Sequence, residues 1–370
     1  MKILFAGGGT WGHLFPIIAV ARELQRLHTQ DDLELFYLGP KDENAKLILK
    51  QEGIKASYIL AGKLRRYFSF QNILDALFNI PISFLQSFYL LLINRPHIIF
   101  SKGGTGSLPV TFAARLLIIP VFLHESDIVP GLSNRITSKW AKKVFVSFEK
   151  TEYFDLSKVI VTGTPIKKEL LEGEKASAKE LFNLTSEKPV LLFLGGSQGA
   201  ESINNFVMIL LADLLKEYEV IHVCGKRNYN QLVVALPAFL EKEWEPYYHL
   251  YASLTEIELK HAYAATDLII SRAGSASIFE IAGAGKPCVL IPLPSSAGDH
   301  QSKNAYEYAK NGAAIIIEQE NLIPNFFIGK INYIVSSPTV QEEMRQASLS
   351  FAKPLAAKQI AREILQYLQK

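Results

Sequence analysis

Cysteine is nearly absent from this chain. The two present, Cys224 and Cys288, lie in CGKR and KPCVLIP, outside any C-x-x-C spacing. A disulfide framework and a thiolate metal site are therefore both excluded, and the pair reads as buried reduced thiols of a cytosolic protein. No His/Cys cluster with metal-ligand spacing occurs, and no metal is expected. Charge of one sign is scarce too: the formal net charge is +3. Nucleic acid is not an expected partner, and any anion site must be local. The N-terminus, MKILFAGGG, has an apolar run of only about five residues, whereas a signal peptide needs ~7–15. It reads as a buried first strand.

A long uninterrupted apolar run is also missing. The nearest approach is Asn72–Arg95, NILDALFNIPISFLQSFYLLLINR, broken by Asn79, Pro81, Ser83, Gln86 and Ser87. Ile73, Leu77, Ile80, Phe84, Phe88 and Leu92 recur every three to four residues, which predicts an inward helical face rather than a membrane span. Such helices would pack on a sheet and leave an apolar surface over.

What the chain does have is core-forming material: 49% of its 370 residues are hydrophobic and 20% charged. That composition is globular, and the length suits two domains. Apolar strands are predicted at Ile3–Ala6, Leu33–Leu38, Ile98–Ser101, Val121–Leu123, Val144–Ser147 and Val159–Thr162. Helical stretches such as Phe15–Leu27 and Leu108–Leu117 separate them. Strands apolar on both faces and alternating with helices predict a doubly wound parallel sheet. After Gly163-Thr164-Pro165 the pattern restarts at Val190–Leu194, runs into GGSQGA and the helix Ser202–Lys216, and continues with strands at Val220–Cys224, His249–Tyr251, Leu268–Ser271, Val289–Ile291 and Ala314–Ile317. The expected fold is α/β: two Rossmann-like domains, residues 1–164 and 165–340, facing across a cleft. A last helical stretch, 341–370, broken at Pro354, is placed to pack back on the first domain.

Each half opens with strand, Gly-rich turn, helix. The first turn, Gly7-Gly8-Gly9-Thr10-Trp11-Gly12-His13, contains G-x-G-x-x-G. A dinucleotide site needs an acid at the end of the second strand, but that strand ends Tyr37-Leu38-Gly39-Pro40. What remains is an anion site at a helix N-terminus, with His13 placed as a candidate base. The second turn, Gly195-Gly196-Ser197-Gln198-Gly199-Ala200, permits close phosphate approach, and Ser197 adds a hydroxyl. A third strand–turn–helix step carries Arg272, Gly274, Ser275, Ala276 and Ser277, with Glu280 one helical turn on, suited to a ribose diol. After Val289–Ile291 a loop leads to His300 and Gln301, side chains suited to hydroxyl-rich ligands. In the first half, Ser101-Lys102-Gly103-Gly104 and His124-Glu125-Ser126-Asp127 also follow strands; Glu125 and Asp127 are acid or base candidates.

Together, GGGTWGHLFP, SKGG, HESDIVPGLSNR, GTPIKKEL, GGSQGA, SRAGSASIFEIAGAGKPCVLIP and DHQSKNA stand in an order that resembles the MurG family, the GlcNAc transferases of peptidoglycan synthesis, over residues 1–317. The resemblance implies a GT-B fold. It implies inverting transfer of GlcNAc from UDP-GlcNAc to the C4 hydroxyl of a lipid-linked MurNAc-pentapeptide, converting lipid I to lipid II. UDP-GlcNAc is then a substrate and no cofactor is required. By the same resemblance Gly196, Ser197 and Gln198 meet the donor diphosphate, Glu280 the ribose, and His300 and Gln301 the sugar. The turn holding Thr10, Trp11, Gly12 and His13 faces the acceptor diphosphate, with His13 or Asp127 as base. Three positions depart from the family pattern: Trp11 replaces a Gly, Asp127 an Asn and Lys167 an Arg. Lys167 keeps the charge but loses the bidentate fork. A membrane-borne acceptor implies a peripheral protein at the cytoplasmic membrane face, touching it through Lys63–Phe68 and the apolar stretch behind. The alternatives are a GT-B transferase on another lipid such as diacylglycerol, an epimerase-like enzyme, and a nucleotide-sugar-binding homologue without turnover.

Overall fold

The computed structural model describes residues 1–8, 11–30, 32–60, 78–104, 106–150, 153–185, 187–196 and 199–369. The chain divides into two compact units, Met1–Lys167 with Pro354–Lys370, and Lys168–Lys353.

The first unit is built on a seven-stranded parallel sheet: β1 Lys2–Gly8, β2 Glu34–Pro40, β3 Lys55–Ile59, β4 Ile98–Gly104, β5 Val121–Glu125, β6 Lys143–Val146 and β7 Val159–Val161, in the order β3-β2-β1-β4-β5-β6-β7. β3 is absent from the sequence reading. It is an edge strand, KASYI, mostly half-exposed, so it lacks the continuous apolar run of its neighbours. Along the central strands alternate residues enter opposite cores. Ile3, Phe5, Ile98 and Phe100 pack with helices Trp11–Leu27 and Ala356–Leu368, while Leu4, Ala6 and Ile99 pack beneath helices Ile80–Asn94 and Ser107–Leu116.

Helix Ile80–Asn94 corrects the predicted inward face. Its buried stripe is Ser83, Ser87 and Leu91, with Phe84 and Phe88 alongside, and Leu92 is exposed; Ile73 and Leu77 lie outside the described residues. The serines tolerate burial because their hydroxyls donate back along the helix, Ser83 to the Asn79 carbonyl and Ser87 to the Ser83 carbonyl at 2.7 Å. Among the described residues no helix is long and apolar enough to cross a membrane.

The second unit has a six-stranded parallel sheet: β8 Val190–Leu194, β9 Glu219–Val223, β10 Tyr248–Tyr251, β11 Leu268–Ser271, β12 Cys288–Leu290 and β13 Ala314–Ile316, ordered β10-β9-β8-β11-β12-β13. Helices cover both faces. Both cysteines are buried and unbridged, and burial pushes the Cys224 thiol up to about 11.

The C-terminal stretch, read as broken at Pro354 and packing back on the first domain, is two helices with different allegiances. Pro338–Phe351 packs in the second unit, where Phe351 meets Phe279 and Tyr308. Ala356–Leu368 returns to the first, burying Ile360, Ala361 and Ile364 in the core that holds helix Trp11–Leu27. The change falls at Pro354, so the first unit is discontinuous in sequence.

Candidate active site

In each sheet the strand order reverses once, between β1 and β4 and between β8 and β11. Outside the carboxyl ends of those strands lies the crevice where doubly wound sheets bind ligands. Every predicted site residue lies on a segment that follows a strand of one of the two sheets: some after β1, β8 and β11 at the reversals, others after β5, β7 and β12.

In the first unit, β1 and β4 end as glycines for a steric reason. A side-chain carbon on Gly104, at φ +90°, would lie 2.2 Å from the Gly8 carbonyl oxygen and 3.4 Å from His13 Cε1. The end of β2 closes against the same turn. Tyr37 donates to the Gly7 carbonyl at 2.8 Å, and Pro40 occupies the space over Gly8 and Gly106. The position where a dinucleotide fold keeps its ribose-binding acid is thus filled by packing. Thr10 lies outside the described residues; Trp11 and Gly12 open the helix that follows.

His13, Lys102, Glu125 and Asp127 form one electrostatic group. Burial, then the Lys102 ammonium, lowers the imidazole of His13 to about 4, with Asp127 opposing. Its neutral form therefore prevails at neutral pH. Lys102 is itself buried on β4, and burial lowers its pKa against the attraction of Glu125 and Asp127. Glu125, at the end of β5, is held by the loop that follows it. Its two oxygens accept from the Asp127 amide at 3.0 Å, the Gly131 amide at 3.1 Å and Asn134 Nδ2 at 2.8 Å. It thereby shapes the loop that presents Asp127.

Trp11 does not stand alone. Its ring packs on Phe15, one helical turn on, at 5.3 Å between centroids, and Lys167 Nζ sits 4.5 Å above the Phe15 ring centre. Two of the three departures from the family pattern are therefore linked through one phenylalanine.

In the second unit the turn after β8 needs its glycines. Gly196 and Gly199 have φ of +77° and +80°, and a Cβ on Gly199 would lie 2.6 Å from the Cys224 carbonyl oxygen. Ser197 and Gln198 fall outside the described residues. Helix Glu201–Glu217 starts directly after the turn with no side-chain cap, as does helix Ser275–Ala284 after Gly274. Uncapped first-turn N–H groups are anion donors. Gly274 has open space where a side chain would be; Ser275 is buried, and Ala276 and Ser277 are half-buried beside it. Glu280, also half-buried, accepts from the Tyr263 hydroxyl at 2.9 Å. His300 begins helix His300–Ala309, and Gln301 holds the preceding loop by accepting from the Leu293 amide at 3.0 Å.

Arg272 is not aimed outward as a ligand-binding charge. Its guanidinium is buried and donates to the Ile291 and Pro292 carbonyls, to Ser202 Oγ and to Gln319 Oε1. Among the described residues no group of three or more His, Cys, Asp or Glu is arranged to hold a metal ion.

Residues 3–146 match the glycosyltransferase family 28 N-terminal domain, and residues 190–360 its C-terminal domain. The UDP-N-acetylglucosamine–N-acetylmuramyl-(pentapeptide) pyrophosphoryl-undecaprenol N-acetylglucosamine transferase of Clostridium tetani is 37% identical over 336 residues, 90% of this chain and 89% of that one. The chain belongs to the MurG family. The same transferase of Clostridium kluyveri is 36% identical over 355 residues, 95% and 96% of the two chains. The crystal structure of Acinetobacter baumannii MurG superimposes with a TM-score of 0.73 at 26% identity, covering 98% of this chain and 99% of that one. A UDP-GlcNAc 2-epimerase from Neisseria meningitidis shares the fold, with a TM-score of 0.69 at 17% identity over 99% and 100% of the chains.

Within this MurG-family fold, the geometry adds residues that sequence reading missed. Lys102 stood in a noted motif without a role; its burial beside His13 supplies one. Asn134 likewise stood inside HESDIVPGLSNR without a role and Ser202 only at a helix start, while Tyr263 and Gln319 carried no sequence signal; each acts by touching another side chain.

Proposed function

We propose that this chain is an inverting transferase that moves GlcNAc from UDP-GlcNAc to the C4 hydroxyl of undecaprenyl-pyrophosphoryl-MurNAc-pentapeptide, converting lipid I to lipid II. The observation that carries the proposal is 37% identity to a transferase of that name over 90% of the chain. The pair of anion-type turns at the two sheet crevices supports it. UDP-GlcNAc binds the second unit, its diphosphate at Gly196, Ser197 and Gln198 with the helix N-terminus behind. Its ribose meets Glu280 and its sugar His300 and Gln301, while Gly274, Ser275, Ala276 and Ser277 give it close approach. The acceptor diphosphate lies at Thr10, Trp11 and Gly12, and Lys167 adds positive charge.

The reaction is a single displacement. The acceptor O4 attacks the anomeric carbon, its bond to the β-phosphate oxygen breaks, UDP leaves, and configuration inverts. His13 takes the O4 proton, being neutral and so able to accept it; Asp127 is the other candidate base. Charge gathering on UDP is met by backbone N–H groups that need no reorientation. The donor is its own activated group, so this scheme requires no cofactor.

The chain works as a peripheral protein at the cytoplasmic membrane face. The surface for this lies in the first unit. Ile82, Leu85, Tyr89, Leu92 and Ile93 are exposed on helix Ile80–Asn94, beside exposed Phe112, Leu116 and Ile118. Arg95 and Arg115 add positive charge at the ends of these two helices. The basic segment Lys63–Phe68 lies outside the described residues.

The test is incubation with radiolabelled UDP-GlcNAc and lipid I. Labelled lipid II is expected. Label entering only diacylglycerol, an epimerised sugar nucleotide, or binding without product would each replace this proposal with another.

A further inference from the structure

Arg272 follows β11, at the centre of the second sheet and next to the reversal of strand order. Its guanidinium reaches both ways along the carboxyl edge. Toward β12 it donates to the Ile291 carbonyl at 3.2 Å and the Pro292 carbonyl at 3.0 Å, at the root of the loop that leads to His300. Toward β8 it donates at 2.7 Å to Ser202 Oγ, on the first turn of the helix that follows the GGSQGA turn. It also donates at 2.6 Å to Gln319 Oε1, in the short 3-10 turn after β13. Ser202 donates to the same Gln319 oxygen at 2.8 Å, closing a triangle. One side chain thus ties together segments following β8, β11, β12 and β13.

The electrostatics are unusual. Among the described residues no carboxylate pairs with this guanidinium, and all its described partners are neutral. Burial alone accounts for the downward shift of its pKa. A buried cation without a counter-ion is costly, and an anion arriving close by relieves the cost. The sites flanking it are those read above as binding the donor.

We propose that Arg272 is a positioning residue of the donor site, which with Ser202 and Gln319 clamps the diphosphate turn and the sugar-reading loop into one rim whose missing negative charge the donor diphosphate supplies. The inference rests on the reading of the second unit as the UDP-GlcNAc site. The clamp sets the distance between the phosphate contacts and the sugar contacts, so that both form in one binding event. A lysine cannot replace it, because an ammonium has no planar fork to reach acceptors on both sides.

The test uses the full chain and five variants: Ser202→Ala, Gln319→Ala, the Ser202→Ala/Gln319→Ala double variant, Arg272→Lys and Arg272→Met. KM is measured for UDP-GlcNAc and for lipid I separately, and UDP affinity by calorimetry. Ser202→Ala and Gln319→Ala each raise the UDP-GlcNAc KM by about 5–10-fold and leave the lipid I KM unchanged, as expected for loss of one or two buried hydrogen bonds. The double variant costs less than the product of the two, because the residues act as a unit. Arg272→Lys loses at least about tenfold in UDP affinity, and saturating donor restores most of its turnover, as expected where binding and not chemistry is impaired. Arg272→Met shows a smaller UDP-induced rise in Tm than wild type. Folded Ser202→Ala and Gln319→Ala proteins whose UDP affinity and donor KM stay within about twofold of wild type overturn the clamp, whatever becomes of the Arg272 variants. Wild-type protein that binds no UDP overturns the donor reading itself, a distinct result.

Discussion

The Lys102 ammonium lies close enough to His13 to oppose protonation of the imidazole, adding to burial in lowering its pKa to about 4. This relationship dictates a pH profile. A base is competent when unprotonated, so if His13 is the base, the acid limb of kcat/KM falls near pH 4 and not near the ordinary histidine value of about 6.5. Lys102→Met removes the repulsion, raises the His13 pKa and moves the acid limb to higher pH. His13→Gln reduces turnover by about 10²-fold or more. A His13→Gln enzyme with near wild-type turnover transfers the role to Asp127. An unmoved limb in Lys102→Met separates Lys102 from the titration. An imidazole NMR titration reads the same shift without substrate.

Glu125 shows its role through what it accepts. Asn134 and the Asp127 and Gly131 amides all converge on its two oxygens. In Glu125→Gln one oxygen becomes an NH2 group that faces at least one of those donors. The expected cost is about 1–3 kcal/mol of stability, since the carboxylate is buried. Turnover falls at least tenfold as the loop bearing Asp127 loses its shape. Wild-type turnover in Glu125→Gln would show that the loop keeps its form without the carboxylate.

How far the sequence carried this picture depends on the kind of feature. Apart from Lys55–Ile59, the strands of the two sheets were legible because residues such as Ile3–Ala6 and Val190–Leu194 are apolar on both faces, which only a covered parallel sheet requires. The turn glycines were legible because positive φ and close packing admit little else at Gly104, Gly196 and Gly199. Strand Lys55–Ile59 was not legible, because an edge strand mixes polar and apolar residues. The inward face of helix Ile80–Asn94 was misread because its buried stripe contains serines, whose hydroxyls are satisfied locally. At Arg272 the sequence announced a charge beside a ligand site but not its direction. Partners distant in sequence, Ser202 and Gln319, decide that. The break at Pro354 was visible, while the unit that each flanking helix joins depended on tertiary packing.

Trp11 stands where the family pattern has a glycine, and its ring packs on Phe15. Trp11→Gly loses the ring contact and puts a glycine in the first helical turn, so Tm falls by an amount corresponding to about 1–3 kcal/mol. Donor KM changes little. Phe15→Leu preserves an apolar core but removes the face beneath Lys167. That cation–π contact is worth about 0.5–2 kcal/mol, so substrate binding weakens by about 2–30-fold and becomes more salt-sensitive. A Phe15→Leu enzyme with unchanged KM values and salt response would detach Lys167 from its aromatic platform. Trp11→Gly with full stability and a lowered acceptor KM would show instead that the ring narrows the acceptor pocket.

Glu280 owes its orientation to Tyr263, whose buried hydroxyl donates to Oε2 at 2.9 Å. If Glu280 reads the ribose diol, Tyr263→Phe loosens the carboxylate without removing it. The loss of one hydrogen bond to a charged acceptor, about 1.5–3 kcal/mol, sets the upper bound on the effect. The sensitive measurement is a ratio. UDP binds wild type more tightly than its 2′-deoxy analogue, because only the diol presents paired donors to one carboxylate. Glu280→Gln narrows that preference most, and Tyr263→Phe narrows it partway while leaving the affinity for inorganic pyrophosphate unchanged. Equal preference in all three proteins would remove Glu280 from the ribose and leave it as a structural partner of Tyr263. The graded order follows from the geometry, since one change alters the reading group and the other only its support.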